Sequence, residues 1–135
     1  MSIFWVGAMN LACLPAGIGL RVTREHFEAE AMGYTTKDVG DQLSYDVLAT
    51  KGEEIIKVEV KGTTSNGSEV VLTRNEVKLH REDHPANALA IVRYIQLHRH
   101  DDGPTATGGE LQLTMPWEVD DARLEPIAYR YSTGL

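Results

Sequence analysis

At 135 residues, 42% hydrophobic and 24% charged, the chain is of one-domain size, long enough to bury a sizeable core and ordinary in composition for a soluble globular protein. A single cysteine, Cys13, excludes an intrachain disulfide and any multi-cysteine zinc site, and an intracellular, cytoplasmic setting is the expectation. The net charge of −7 argues against a surface made for indiscriminate phosphate binding, although residues 46–100 balance eight acids with eight bases while 101–135 hold seven acids and two bases.

Residues 1–20, MSIFWVGAMNLACLPAGIGL, are apolar and uncharged. They lack the basic start of a secretory signal, and Asn10 and Pro15 interrupt them too often for a membrane span. The expectation is a packed N-terminal segment or a homodimer contact, with residues 21–135 forming one domain and no membrane partner.

Residues 21–34, RVTREHFEAEAMGY, read as a helix, with Leu20, Phe27, Ala31 and Tyr34 on one stripe and Gly33 near its end. Residues 43–61 read as a hairpin. Leu43 to Thr50 and Ile55 to Lys61 alternate in polarity, and Lys51-Gly52-Glu53-Glu54 is the turn between them.

Because side chains alternate across a strand, Ile56, Val58 and Val60 point one way and Lys57, Glu59 and Lys61 the other. With a four-residue turn Thr50 pairs with Ile55, and the same register sets Asp46 opposite Glu59. Facing Cβ atoms in an antiparallel pair lie roughly 4.5–5.5 Å apart, where like charges are destabilising. A divalent oxygen-seeking cation would resolve that conflict, since Mg²⁺ is commonly held by one or two carboxylates and phosphate oxygens. The plainer alternative is a solvated polar face with Lys61 bridging the acids.

Ser65-Asn66-Gly67-Ser68 is a turn signal, after which Glu69 to Leu72 is expected to return as a third strand. Thr73-Arg74-Asn75-Glu76 is a capping box that starts a helix running to about Arg81, which Asp83-His84-Pro85 stops. Capping accounts for Thr73 and Glu76 without any function. Arg74 and Asn75 are candidate phosphate contacts, since a helix N-terminus suits anions; ordinary surface polarity is the alternative. Ala88 to Leu97, ALAIVRYIQL, reads as a buried strand reached by a crossover.

The loop His98-Arg99-His100-Asp101-Asp102 fits no strong metal motif. Glu110 to Met115 is a candidate edge strand, and Trp117 an anchor for the tail. The expected class is α/β (α+β), a mixed central sheet flanked by helices in the order α-β-β-β-α-β.

Asp46 followed by Glu59-Val60-Lys61 resembles the split D…ExK signature of the restriction-endonuclease-like, or PD-(D/E)XK, nucleases. More closely, SYDVLA…VEVKGTTSNG…VVLTRNEV is similar to the domain at the C-terminus of the plant protein NO VEIN, over about residues 33–97 and more faintly into the tail. The resemblance implies a restriction-endonuclease-like core and a Mg²⁺ site, in which Mn²⁺ can substitute. Asp46, Glu59 and the carbonyl of Val60 would be its ligands, and Lys61 would orient the attacking water. Members of that fold often add an acid from the first helix. Glu25, Glu28 and Glu30 are the candidates, Glu30 bordering the apolar stripe most closely.

The expected function is metal-dependent hydrolysis of DNA phosphodiester bonds, in a defence or restriction setting. The alternative is a catalytically idle nucleic-acid or protein interaction module on the same fold.

Overall fold

The computed structural model describes residues 9–135, with side chains from Leu14 onward. Its elements run α1 (Met9–Glu28), β1 (Thr35–Asp38), β2 (Val47–Lys51), β3 (Glu54–Gly62), α2 (Arg74–Asp83), β4 (Asn87–His98) and β5 (Thr105–Thr114), followed by a single 3-10 turn at Asp121–Arg123. The five strands form one sheet in the order β1-β2-β3-β4-β5. β3 and β4 are parallel, joined through α2, and every other neighbouring pair is antiparallel. The class is therefore mixed α+β, as expected from the pattern.

α1 begins well before the expected Arg21. Of the apolar 1–20 segment, residues 1–8 lie outside the described residues and 9–20 open the helix. Pro15, Ile18, Gly19, Thr23 and Phe27 are buried while Arg21, Glu25 and Glu28 are exposed, a helical stripe turned to the sheet. The approach is close: a Cβ on Gly62 would stand 2.1 Å from the Pro15 carbonyl oxygen, and one on Gly19 3.3 Å from Val60. The helix also ends earlier than Tyr34. Gly33 turns the chain with φ +74, the Tyr34 N–H returns to the Phe27 carbonyl at 2.9 Å, and the Tyr34 ring packs edge-on against Phe27 from the loop. The stripe pattern was right for Phe27 and Tyr34, but tertiary packing places Tyr34 there without a further helical turn.

The core lies between α1 and one face of the sheet, where Phe27 meets Val47, Ala49, Ile56, Val58, Val60, Ala88 and Ala90. The hairpin has the expected register, Thr50 with Ile55 and Val47 with Val58. Its turn is tighter than expected, because Lys51 and Glu54 also pair. Gly52, at the first central position with φ +61, makes the two-residue connection that matches the twist of paired strands.

Two strands differ from expectation. β1, TTKD, has no apolar alternation to announce it and exists because it pairs with β2 from Thr35–Thr50 to Asp38–Val47. Glu69 to Leu72 is not a strand. After β3 the chain crosses the face of the sheet opposite α1, and a Cβ on Gly67 would meet Ile91 Cγ2 at 2.9 Å. The capping box is formed: Thr73 Oγ1 accepts the Glu76 N–H at 3.2 Å, and the Thr73 N–H donates to Glu76 Oε1 at 2.9 Å. β5 is longer than the edge strand expected at 110–115. Among the described residues no helix is long and apolar enough to cross a membrane.

Candidate active site

β3 carries the site. Its even residues fill the core beneath α1, so Glu59 and Lys61 are driven to the opposite face. That face is not solvated: Glu59 is 0% exposed and Lys61 5%. α2 lies against it, and the helical spacing of Glu76 and His80 aims both at the strand.

Lys61 Nζ stands 3.2 Å from Glu59 Oε1 and 3.1 Å from Glu76 Oε1. His80 Nε2 is 3.5 Å from Glu59 Oε2. These distances bring the charges together, but neither Glu59 oxygen closes a well-angled hydrogen bond, and nor does His80 Nε2. Burial pushes the Glu59 carboxyl up to about 8; Lys61 opposes that rise and Glu76 adds to it. Burial pushes the His80 imidazole down to about 4, against the pull of Asp83 and Glu76. His80 is therefore neutral near pH 7, and the Lys61–Glu76 contact lies at the centre.

Asp46 follows the loop after β1, one residue before β2 begins. Its N–H donates to the Val58 carbonyl at 3.0 Å, although Val58 is already the partner of Val47; the regular register therefore ends there, and the expected facing pair of Asp46 and Glu59 is not part of the ladder. Its side chain does something register alone does not reveal: Oδ2 accepts the Val60 N–H at 2.9 Å. Lys57 and Thr63 donate their N–H groups to the carbonyls of Ala86 and Val92, so the odd residues of β3 bond to β4. The even ones face β2, which has ended by Val60, and Asp46 takes the vacated place.

A cleft of about 200 Å³ opens here, lined by Gly40, Leu43, Ser44, Asp46, Thr73, Asn75 and Glu76. Of the two expected phosphate contacts, Asn75 lines the cleft and Arg74 is exposed beside it in the first turn of α2. The first-helix acids are elsewhere. Glu30 is exposed in the turn after α1, Glu25 pairs with Arg21 at 3.6 Å, and Glu28 accepts from Thr36. The early end of α1 takes Glu30 off the helix altogether.

Glu76 and His80 are the members of the cluster that capping and helix arguments passed over. The signal was present as an acid and a histidine four apart on a short helix, yet which strand that helix would cover is not a local property.

A family model described as "Protein NO VEIN, C-terminal" matches residues 18–102, more than half of the chain. The chain belongs to the NO VEIN C-terminal family. No curated protein and no solved structure matches it. The matched span of this NO VEIN C-terminal domain runs from within α1 to just past β4. It contains Asp46, Glu59, Lys61, Glu76 and His80; β5 and Trp117 follow it.

Among the described residues no group of three or more His, Cys, Asp or Glu is placed to hold a metal ion by itself. The donor chemistry nevertheless suits a hard dication. Mg²⁺ takes one or two carboxylates and completes its shell with water and phosphate oxygens. Asp46 and Glu76 border the cleft, and the buried oxygens of Glu59 have no hydrogen-bond partner.

Proposed function

We propose that this domain is a metal-dependent nuclease-like domain of the restriction-endonuclease-like, PD-(D/E)XK type, hydrolysing DNA phosphodiester bonds. One observation carries the reading: Glu59 and Lys61 are buried together on β3, and Glu76, which holds Lys61, lines the same cleft as Asp46, although burying carboxylates works against folding. Asp46 and Glu59 would hold Mg²⁺ or Mn²⁺ with the Val60 carbonyl, and the ion, when bound, supplies a polarised phosphoryl oxygen and a more acidic water.

The protein's own groups do the rest. Lys61 is held at 3.1 Å by Glu76 and 3.2 Å by Glu59, so its ammonium is fixed in position, where it can balance charge that grows on a phosphoryl group and orient a water. Asn75 and Arg74, at the N-terminus of α2, offer donors for a neighbouring phosphate. Burial of Glu59 beneath α2 shields it from bulk solvent.

A second reading, a catalytically idle nucleic-acid or protein interaction module, is favoured by the same lysine. Its ammonium already neutralises Glu76 and faces Glu59, which is the service a metal would perform.

Calorimetric titration of Mg²⁺ and Mn²⁺ into the wild type and Glu59→Gln, with plasmid nicking followed on the same samples, separates the two. Binding and nicking that vanish together in the variant support the nuclease. Absence of both in the wild type, with DNA present, would sink it.

A further inference from the structure

The side chain of Asn87, the first residue of β4, is fully buried and bonded at every polar atom. Oδ1 accepts the Trp117 N–H at 3.3 Å, and Nδ2 donates to the Trp117 carbonyl at 2.9 Å and the His80 carbonyl at 3.2 Å. A backbone N–H can only donate and a backbone carbonyl can only accept, so these partners determine which end of the amide is which. Nδ2 is then also 3.2 Å from His80 Nδ1. The two Nδ2 hydrogens are taken by the two carbonyls, and an amide nitrogen does not accept, so a proton on Nδ1 would face a donor; a bare Nδ1 avoids that clash and leaves the proton of a neutral imidazole at Nε2. His80 Nε2 points at Glu59 Oε2. The two atoms are 3.5 Å apart, both are buried, and neither has a hydrogen-bond partner. The indole of Trp117 lies 4.8 Å from the imidazole, tilted by 47°, and limits rotation of the ring.

From this chain of contacts we infer that His80 is a positioning residue for Glu59: Trp117 orients Asn87, Asn87 holds His80 with its proton on Nε2, and that N–H sets the carboxyl of Glu59. Lys61 approaches the other oxygen, Oε1, at 3.2 Å, so the Glu59 carboxyl lies between His80 and Lys61. In the nuclease reading, on which the functional part of this inference rests, His80 tunes a metal ligand from behind, as outer-shell partners do elsewhere. It also ties the site to Trp117, which lies beyond the 18–102 family match.

The test uses the full chain labelled with ¹⁵N-histidine and ¹³C-glutamate, and three variants. Long-range ¹H–¹⁵N spectra read the tautomer; the Glu59 carboxyl ¹³C signal and calorimetric Mn²⁺ affinity read the effect. Wild-type His80 is expected to show a protonated Nε2 and a bare Nδ1, and Asn87→Ala to lose that preference. In His80→Gln the amide can present an N–H where Nε2 stood, whereas in His80→Asn it reaches only to the Nδ1 position. His80→Gln should therefore keep the Glu59 signal and Mn²⁺ affinity, while His80→Asn moves the signal and weakens Mn²⁺ by roughly 10–100-fold, the range for outer-shell changes. A merely structural histidine would not separate these two amides.

A proton on Nδ1 in the wild type, or equal behaviour of His80→Gln and His80→Asn, overturns the inference. If the wild type binds no Mn²⁺, the nuclease reading falls and the inference is decided by the ¹³C signal alone. Movement in His80→Asn but not in His80→Gln sustains it, and any other pattern overturns it.

Discussion

Asp46 Oδ2 accepts the backbone N–H of Val60 at 2.9 Å, so a candidate catalytic carboxylate also closes the sheet where β2 runs out. Removing the side chain therefore has two effects. Asp46→Ala leaves a buried N–H unsatisfied and should cost about 1–3 kcal/mol, whereas Asp46→Asn retains an acceptor and should stay within about 1 kcal/mol of wild type. Urea denaturation of both reads this directly. Loss of nicking in Asp46→Asn would then report on charge, free of the structural penalty that confounds alanine.

Lys61 is buried between two acids, so truncating it strands them. Lys61→Met should destabilise by about 3–5 kcal/mol, the range for breaking a buried pair by removing one partner. Since Lys61 holds the Glu59 pKa down, the loss should be larger at pH 8 than at pH 6, as seen in denaturant midpoints. A loss of under 1 kcal/mol at both pH values would mean that Lys61 is not held by these contacts in solution.

The pH dependence has a definite sign. Glu59 is raised to about 8, so its contribution is complete below the unfolded value of about 4.5 and is lost as pH rises through 8. His80 is lowered to about 4, so its contribution is complete above about 6.5 and is lost as pH falls through 4. Between about 4.5 and 6.5 the two slopes oppose each other; from 6.5 to 8 Glu59 acts alone. Stability should fall by about 1–2 kcal/mol across that upper window at the linkage slope of about 1.4 kcal/mol per pH unit, and Glu59→Gln should flatten the fall.

The same raised pKa bears on metal binding. A dication bound by Glu59 must displace its proton, so Mn²⁺ binding at pH 7 should release close to one proton. Calorimetry in buffers of different ionisation enthalpy counts it. Binding heats independent of buffer would place the ion on Asp46 and Glu76 instead.

Gly62 follows Lys61 and passes under α1. A Cβ there would meet the carbonyl oxygen of Pro15 at 2.1 Å and its carbon at 2.7 Å. Both are backbone atoms that cannot rotate aside. Gly62→Ala should cost about 1–3 kcal/mol through overpacking, seen as a lowered thermal midpoint, and should disturb the site from the far side of the sheet. Gly17→Ala, which meets nothing within 4 Å, is the control.

Much of this protein was legible in the chain as written. The alternation of Ile56, Val58 and Val60 with Lys57, Glu59 and Lys61 determined which residues share a face, since a strand has a period of two. The Thr50–Ile55 register followed from a short turn, and α2 from its capping box. These are local: propensity, period and turn chemistry act over a few residues. What lay beyond local reach was decided by packing. β1 has no pattern of its own and is a strand because β2 offers an edge; Glu69 to Leu72 has the pattern and is not a strand. Glu30 leaves the helix because Gly33 and Tyr34 turn back onto Phe27. Above all, a polar face that alternation alone would leave to water lies beneath α2. Only the tertiary structure brings Glu76 and His80 onto Glu59 and Lys61, and burial there raises one pKa and lowers another.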